Sequence, residues 1–134
     1  MTIKTTDVTN AVQKRIYDSL IEYPIIYEGE DSVPERPYIA LQIVRLKPTA
    51  VMLEPHDGYH PAFLQATVVT EFGHFATEGQ DIGDEIVKLF RFGTRITIDT
   101  EGHELTVNDI PFVETGFRDG MDWRTPVRID YEVQ

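Results

Sequence analysis

The stretch WRTPVRIDYEV, from Trp123 to Val133, alternates apolar and polar side chains more regularly than any other part of the sequence. Successive side chains of a β-strand point to opposite faces of its sheet. Val127, Ile129 and Tyr131 therefore share one face, and charged residues share the other. The pattern predicts a strand with one buried face and one face that is either in water or covered by a partner.

A proline within this stretch bears on the position of the strand in the sheet. Pro126 has no N–H to donate to a neighbouring strand, and prolines within sheets occur mainly on edge strands or at the start of a strand. We therefore expect the last strand to be at, or to begin near, a sheet edge at Pro126. Arg124 and Arg128 are then edge-strand candidates for contacts with a partner.

Two further segments are predicted to be long strands, YIALQIVR at residues 38–45 and AFLQATVVTEF at residues 62–72. The first is apolar on both faces for much of its length, which is typical of a central strand covered on two sides. Shorter strands are expected near residues 25–27, 95–99, 104–107 and 112–117.

Two segments have the periodicity of amphipathic helices, residues 7–22 and residues 78–91. Apolar side chains that recur every three or four residues form one stripe along a helix, and that stripe must be buried against another element. The stripes are formed by Val8, Val12, Ile16 and Leu20 in the first helix and by Ile82, Ile86 and Phe90 in the second.

A single sheet that carries both helices on one face buries the two stripes together. The chain is therefore predicted to be α+β, with a mixed, mostly antiparallel β-sheet and two α-helices packed on one face. Its 134 residues fit one domain, 1–134.

Residues 46–61 form the longest segment that is predicted to be irregular, because three prolines and Gly58 interrupt it. Loops of this length are usually functional or disordered, and its apolar content disfavours disorder. The segment is either an arm that reaches a neighbouring subunit or a loop that folds back over its own core. Candidate contacts with a subunit or a tube are Leu46, Val51, Met52, Leu53 and Tyr59.

Charge and composition exclude several classes of function. The net charge of −11 disfavours binding to duplex DNA or to anionic lipid. The chain contains no cysteine, so thiol catalysis and thiolate metal sites are excluded. The longest apolar runs are far too short to span a membrane.

The segment HDGYH, residues 56–60, is the first site at which chemistry is conceivable. His56, Asp57 and His60 offer the ligand types that bind a divalent metal, but a third ligand from elsewhere, such as His74 or His103, is required. A polar surface loop is the favoured interpretation, so no metal or cofactor is expected. His56 and His60 remain the candidate ligands of the alternative.

No other pattern indicates an active site. Gly73, Gly79 and Gly83 lack the spacing of a phosphate-binding loop, and the chain has no nucleophile elbow of the Gly-x-Ser-x-Gly type. The interpretation is a protein that binds or assembles, and not an enzyme.

The order of the elements resembles that of the phage tail-terminator, or tail-completion, family, which includes minor tail proteins of lambda-like phages. The resemblance covers nearly the whole chain and is one of pattern without a sharp motif. Its parts are the helix that ends near IYDSL at residues 16–20, the strands PYIAL at 37–41 and FLQATVV at 63–69, the helix that begins near ATEG at 76–79, and the closing strand WRTPVRIDY at 123–131.

The resemblance implies a structural virion protein without catalytic residues. It implies a homohexameric ring at the head-proximal end of the tail tube, which ends tube polymerisation and joins the tail to the head–tail connector. The implied partners are other copies of the chain, the tube protein and the connector or stopper protein. DNA is expected to pass an acidic lumen without specific binding, and the protein is expected to be made in the host cytoplasm.

Two alternatives stay open at this point. A head–tail adaptor or stopper of the connector has a similar size and order of elements. A small metal-dependent enzyme that uses His56 and His60 is the other alternative.

Overall fold

A computed structural model describes residues 3–20, 22–47, 49–51 and 54–134, of which residues 49–51 and 54–59 are described as backbone only. The described residues form two helices and nine strands. In chain order they are α1 (Thr5–Ser19), β1 (Ile25–Ile26), β2 (Tyr38–Arg45), β3 (Thr49–Val51), β4 (Glu54–Glu71), α2 (Thr77–Leu89), β5 (Arg95–Thr97), β6 (Glu104–Val107), β7 (Phe112–Val113), β8 (Phe117–Asp119) and β9 (Asp122–Val133).

The sheet is mixed and mostly antiparallel, as the sequence predicts. Its strands follow the order β1-β2-β4-β9-β6-β5, while β3 pairs with β4, and β7 and β8 pair with β9. The pairing of β1 with β2 is parallel, and every other pairing between the described strands is antiparallel. The α+β class is therefore confirmed.

One face of this sheet and both helices enclose a single apolar core. Ile16 of α1 and Ile86 of α2 are fully buried, as are Leu64 of β4 and Ile129 of β9. Both predicted helices are present with shifted bounds, because α1 ends before Leu20 and α2 ends before Phe90. Leu20 and Phe90 nevertheless lie in the core, as the apolar stripes predict.

The predicted edge position of the last strand is wrong. β9 pairs with β4 on one side and with β8, β7 and β6 on the other, so Arg124 and Arg128 lie in an interior strand. Pro126 accepts a hydrogen bond from the Glu114 N–H through its carbonyl oxygen, at 2.8 Å. The N and O of one residue point to the same side of a strand, so the missing donor of Pro126 faces the gap between β7 and β8.

The predicted irregular loop at residues 46–61 is also wrong, because the structure places most of it in strands. Its backbone forms β3 and the first part of β4, with Thr49 opposite Tyr59 and Val51 opposite Glu54. Pro61 does not interrupt this pairing, because it offers its carbonyl oxygen to the Leu46 N–H at 3.0 Å. Pro55, Gly58 and Pro61 suggested a loop, but a proline removes only one donor from a ladder.

Two glycines let α2 approach the sheet closely. A Cβ atom at Gly79 would lie 2.5 Å from the Thr125 Oγ1 and 3.2 Å from the Thr125 Cβ, and one at Gly83 would lie 3.1 Å from Val113. Both glycines are buried and face β9 or β7. Their spacing is not that of a phosphate-binding loop, and the structure shows that they are packing residues.

Replacing Gly79 with valine is therefore expected to destabilise the protein, because the new side chain overlaps Thr125. Overpacking of this kind costs about 1–3 kcal/mol of the free energy of unfolding. Gln80→Val at the next, exposed position is the matched control and is expected to change stability by only about 0.5 kcal/mol. Urea unfolding of both variants measures the difference, and equal losses would contradict the close approach of α2 to β9.

Candidate assembly surfaces

The face of the sheet that points away from the helices is partly open. No helix covers it in the described part of the chain, and Val44, Phe63 and Gln65 are partly exposed there. The Arg128 guanidinium carbon lies 3.9 Å from the centroid of the Phe63 ring, which gives a cation–π contact. This face of the sheet therefore carries apolar and polar side chains together, and Arg128 covers the ring of Phe63.

Arg128 is held in place on this face by its neighbour. Its guanidinium donates to both carboxylate oxygens of Asp130, at 3.1–3.3 Å, and this hydrogen bonding raises the pKa of Arg128. The sequence singled out Arg128 as an edge contact. In the structure, Arg128 lies on the open face of the sheet, and its guanidinium stacks on the ring of Phe63.

The β3–β4 hairpin forms an arm that extends past the sheet. β2 ends opposite Ala62 and β9 ends opposite His60, so residues 54–59 of β4 pair with β3 alone within the described ranges. At about 3.3 Å per residue, six strand residues span about 20 Å. A contact of this hairpin with a neighbouring subunit stays a prediction.

The predicted contact residues are spread over this arm and its base. Val51 and Tyr59 lie in β3 and β4, with their side chains outside the description, and Met52 and Leu53 lie outside the described residues altogether. Leu46 lies at the base of the arm and is 50% exposed. The role of these five residues as contacts stays a prediction.

The opposite end of the sheet carries a group of exposed apolar side chains, which we call the aromatic end. Phe72 follows β4, and its N–H donates to the Met121 carbonyl oxygen at 2.8 Å, which joins β4 to the turn between β8 and β9. The Arg118 guanidinium carbon lies 3.8 Å from the centroid of the Phe72 ring. The group is Phe72, Phe75, Phe117 and Met121, all of them exposed.

Phe75 is the most exposed large apolar side chain of the group, at 86% of its surface. Contiguous exposed apolar patches on soluble proteins commonly mark contacts with another protein, so these four residues are candidates for such a contact. Sequence reasoning missed this surface because its members come from three separate segments. One sequence feature could have indicated this surface. Two phenylalanines, Phe72 and Phe75, lie near Gly73 in the segment between a predicted strand and a predicted helix, where exposed residues are common.

A cavity of about 180 Å³ lies at the other end of the sheet, at the base of the arm. Ala62, Tyr131 and Val133 contribute its strand side, and Val8 of α1 and Leu46 complete its apolar wall. Burial raises the pKa of the Tyr131 hydroxyl to about 12, and this buried hydroxyl has no hydrogen-bond partner among the described residues. The cavity is therefore a recess between α1 and the sheet with a mostly apolar wall, to which Arg45 and His60 also contribute.

The candidate metal ligands His56 and His60 are not part of any group of three possible ligands among the described residues. His60 lies in β4 and lines the cavity, and the His56 side chain lies outside the description. The described residues that bring three possible ligand atoms together are Asp99, Glu101 and His103, in the turn between β5 and β6. Sequence reasoning considered only His103 of these three.

Asp99 already has hydrogen-bond partners within this turn. Its Oδ1 accepts from the backbone N–H groups of Glu101 and His103, at 2.9 and 3.2 Å, and its Oδ2 lies 2.7 Å from the His103 Nδ1. The hydrogen bond with the His103 ring lowers the pKa of Asp99. These contacts are typical of an Asx turn that closes a hairpin, which accounts for the cluster without a metal.

Known proteins give this architecture a context. Residues 7–131 match the sequence profile of a family described as phage tail terminator protein. Eight chains of solved structures also match, and one of them has a TM-score of 0.74 with 17% sequence identity over 98% of this chain and 96% of that chain. A likeness at this identity concerns the fold alone. No curated protein matches the chain.

Neither described helix has the length and apolar character needed to cross a membrane. The family match spans the core elements from α1 to β9, including both helices and the long strands. The chain belongs to the phage tail terminator family and has a structural role in a phage tail.

Proposed function

We propose that this protein forms a ring, with a hexamer as the expected form, on the head-proximal end of the tail tube, where it ends tube polymerisation and joins the tail to the head connector. The observation that carries the proposal is the family match over residues 7–131. The proposed role is structural and needs no catalytic residue, metal or cofactor.

The shape of the subunit supports this proposal. A ring requires two different surfaces on each copy, so that each subunit can contact two neighbours in a closed circle. The arm at one end and the partly open face of the sheet are separate surfaces of this kind. Leu46, Val51, Met52, Leu53 and Tyr59, which lie on or beside the arm, are the proposed subunit or tube contacts.

The aromatic end supports the axial contact that capping requires. Every subunit of a cap must contact the tube end, and apolar side chains in the centre of an interface contribute most of its binding energy. We assign the aromatic end to the tube protein. The net charge of −11 is compatible with DNA passing the lumen without being retained.

Tube capping can be measured directly. The purified chain is added to polymerising tube protein, tube lengths are measured by negative-stain electron microscopy, and the mass of the free chain is measured by light scattering. Shorter tubes with added density at one end are expected, and oligomers of the 15.4 kDa chain are expected alone or on the tube.

The same experiment separates the alternatives. A chain that stays monomeric and leaves tube lengths unchanged would contradict the proposal. If cross-linking finds only the connector as a neighbour, the protein is an adaptor or stopper of the connector.

A further inference from the structure

We propose that Arg118 is a specificity-determining residue of the tube contact, and that its guanidinium binds a carboxylate which the tube protein presents to the aromatic end. The inference rests on the proposed function and names the chemistry that the tube end must supply. Arg118 lies over a ring of the aromatic end in a fixed orientation, and part of its guanidinium has no acceptor among the described residues.

Two contacts fix the orientation of the Arg118 guanidinium. Its central carbon lies 3.8 Å from the centroid of the Phe72 ring, so the cation lies over a member of the aromatic end. Its Nε donates to the carbonyl oxygen of Gly120 at 2.8 Å, which ties the group to the turn between β8 and β9. A guanidinium that is already held in this way loses little further freedom when it binds a ligand.

The outer edge of the same guanidinium is open to a partner. Arg118 is exposed, and its Nη atoms donate to no acceptor within the part of the chain that the structure describes. The N–H groups at this edge are parallel and match the two oxygens of a carboxylate. The free edge therefore has the geometry of a carboxylate-binding group.

The other arginines at this end are already paired. Arg36 donates to Asp122 at 3.0 Å, and Arg124 donates to Asp119 at 2.9 Å. The two carboxylates closest to Arg118 in the sequence therefore pair with other arginines. Of these three arginines, Arg118 is the one whose charge has no ion-pair partner among the described residues.

Burial of the aromatic end against the tube determines what the partner must carry. An apolar contact that closes over Phe72 and Phe75 removes water from the guanidinium above Phe72. A charged group that loses its water is costly unless an opposite charge and hydrogen-bond acceptors replace that water. A carboxylate is the protein group that supplies both, whereas a purely apolar tube surface would leave the charge unpaired.

Two substitutions of Arg118 test this contact in the tube-capping experiment. Arg118→Gln removes the charge, and Arg118→Lys keeps the charge but removes the planar fork. The matched control is Arg95→Gln, because Arg95 is an exposed arginine of β5, the strand at the far edge of the sheet. We expect Arg118→Gln to weaken the Kd for the tube end by about 10- to 100-fold, Arg118→Lys to weaken it almost as much, and Arg95→Gln to leave it within about twofold.

Double-mutant cycles identify the carboxylate on the tube protein itself. Each exposed Asp or Glu of the tube protein is changed in turn to Asn or Gln, and capping by the unmodified chain is compared with capping by Arg118→Gln. One neutralised residue is expected to weaken capping by the unmodified chain about tenfold or more and to change capping by Arg118→Gln little. Urea unfolding of the Arg118 variants is expected to match that of the unmodified chain, because Arg118 is exposed.

The possible outcomes separate this inference from the proposed function. If Arg118→Gln caps tubes as well as the unmodified chain does, or if no carboxylate couples to Arg118, the inference is overturned while capping stands. Full capping by Arg118→Lys would overturn the contact through the planar fork, and a large loss of stability in Arg118→Gln would show that Arg118 acts on the fold instead. If the unmodified chain binds no tube end, the proposed function is contradicted and this inference with it.

Discussion

Replacing Phe90 with alanine is expected to lower the free energy of unfolding by about 3–5 kcal/mol, the range found for removal of a buried aromatic side chain. Phe90 is 1% exposed and follows the last turn of α2. The Arg15 guanidinium carbon lies 5.8 Å from its ring centroid, and the Arg15 Nε donates to the Leu89 carbonyl oxygen at 2.6 Å. The ring therefore packs where α1, α2 and the sheet meet.

The matched control lies two residues away. Phe92 is 64% exposed, so Phe92→Ala is expected to change stability by only about 0.5 kcal/mol. Urea unfolding of both variants, with the same dependence on denaturant, gives the comparison. Similar losses for the two variants would show that the C-terminal end of α2 does not pack against α1 and the sheet as described.

The packing of Phe90 is also an example of what the sequence could predict. Periodicity reports which side of an element is buried, because burial requires apolar side chains on one face only. The stripe Ile82, Ile86 and Phe90 and the alternation of Val127, Ile129 and Tyr131 were therefore sufficient to predict the core faces. The α+β class followed from these faces and from the order of the elements.

Periodicity does not report which strand lies beside another. Pairing joins residues that are far apart in the sequence, as when Thr67 of β4 lies opposite Pro126 of β9. The presence of Pro126 predicts an edge strand, because the rule for prolines considers only the local sequence. It does not include the gap between two short strands that the Pro126 nitrogen faces. For the same reason, Pro55 and Pro61 suggested a loop where β4 continues.

The candidate surfaces were less predictable than the core. The cavity is lined by residues from the start of α1, the end of β2 and the end of β9. No local sequence pattern predicts that these three segments lie together. The packing role of Gly79 and Gly83 could not be predicted either. In the sequence, a glycine that allows a helix to approach a sheet closely cannot be distinguished from any other glycine in a helix.

The separation of the two ends of the sheet gives the subunit distinct directions of contact. The cavity lies where β4 and β9 pair at His60 and Val133, and the aromatic end lies where they pair at Glu71 and Asp122. In the proposed ring, a subunit with a hairpin arm at one end and exposed apolar side chains at the other has separate surfaces for its neighbours and for the tube. We therefore expect that a substitution can remove the proposed tube contact without removing the proposed ring contact.

Replacing Phe75 with aspartate is expected to abolish tube capping while leaving the fold and the oligomeric state unchanged. The side chain is 86% exposed in the subunit, so stability is expected to change little. In the capped tube, the new carboxylate would be buried without a partner. Removing a central apolar contact of an interface costs about 2–4 kcal/mol, which corresponds to a Kd for the tube end that is weaker by about 30- to 900-fold.

Phe92→Asp provides the matched control, because Phe92 is also exposed but lies in the turn between α2 and β5, away from the aromatic end. Tube lengths in the capping assay, together with light scattering and urea unfolding of each variant, distinguish the possible outcomes. Long, uncapped tubes with Phe75→Asp and short, capped tubes with Phe92→Asp are expected. Normal capping by Phe75→Asp would remove the aromatic end from the tube contact, whereas loss of capping by both variants would show that charge alone disturbs assembly.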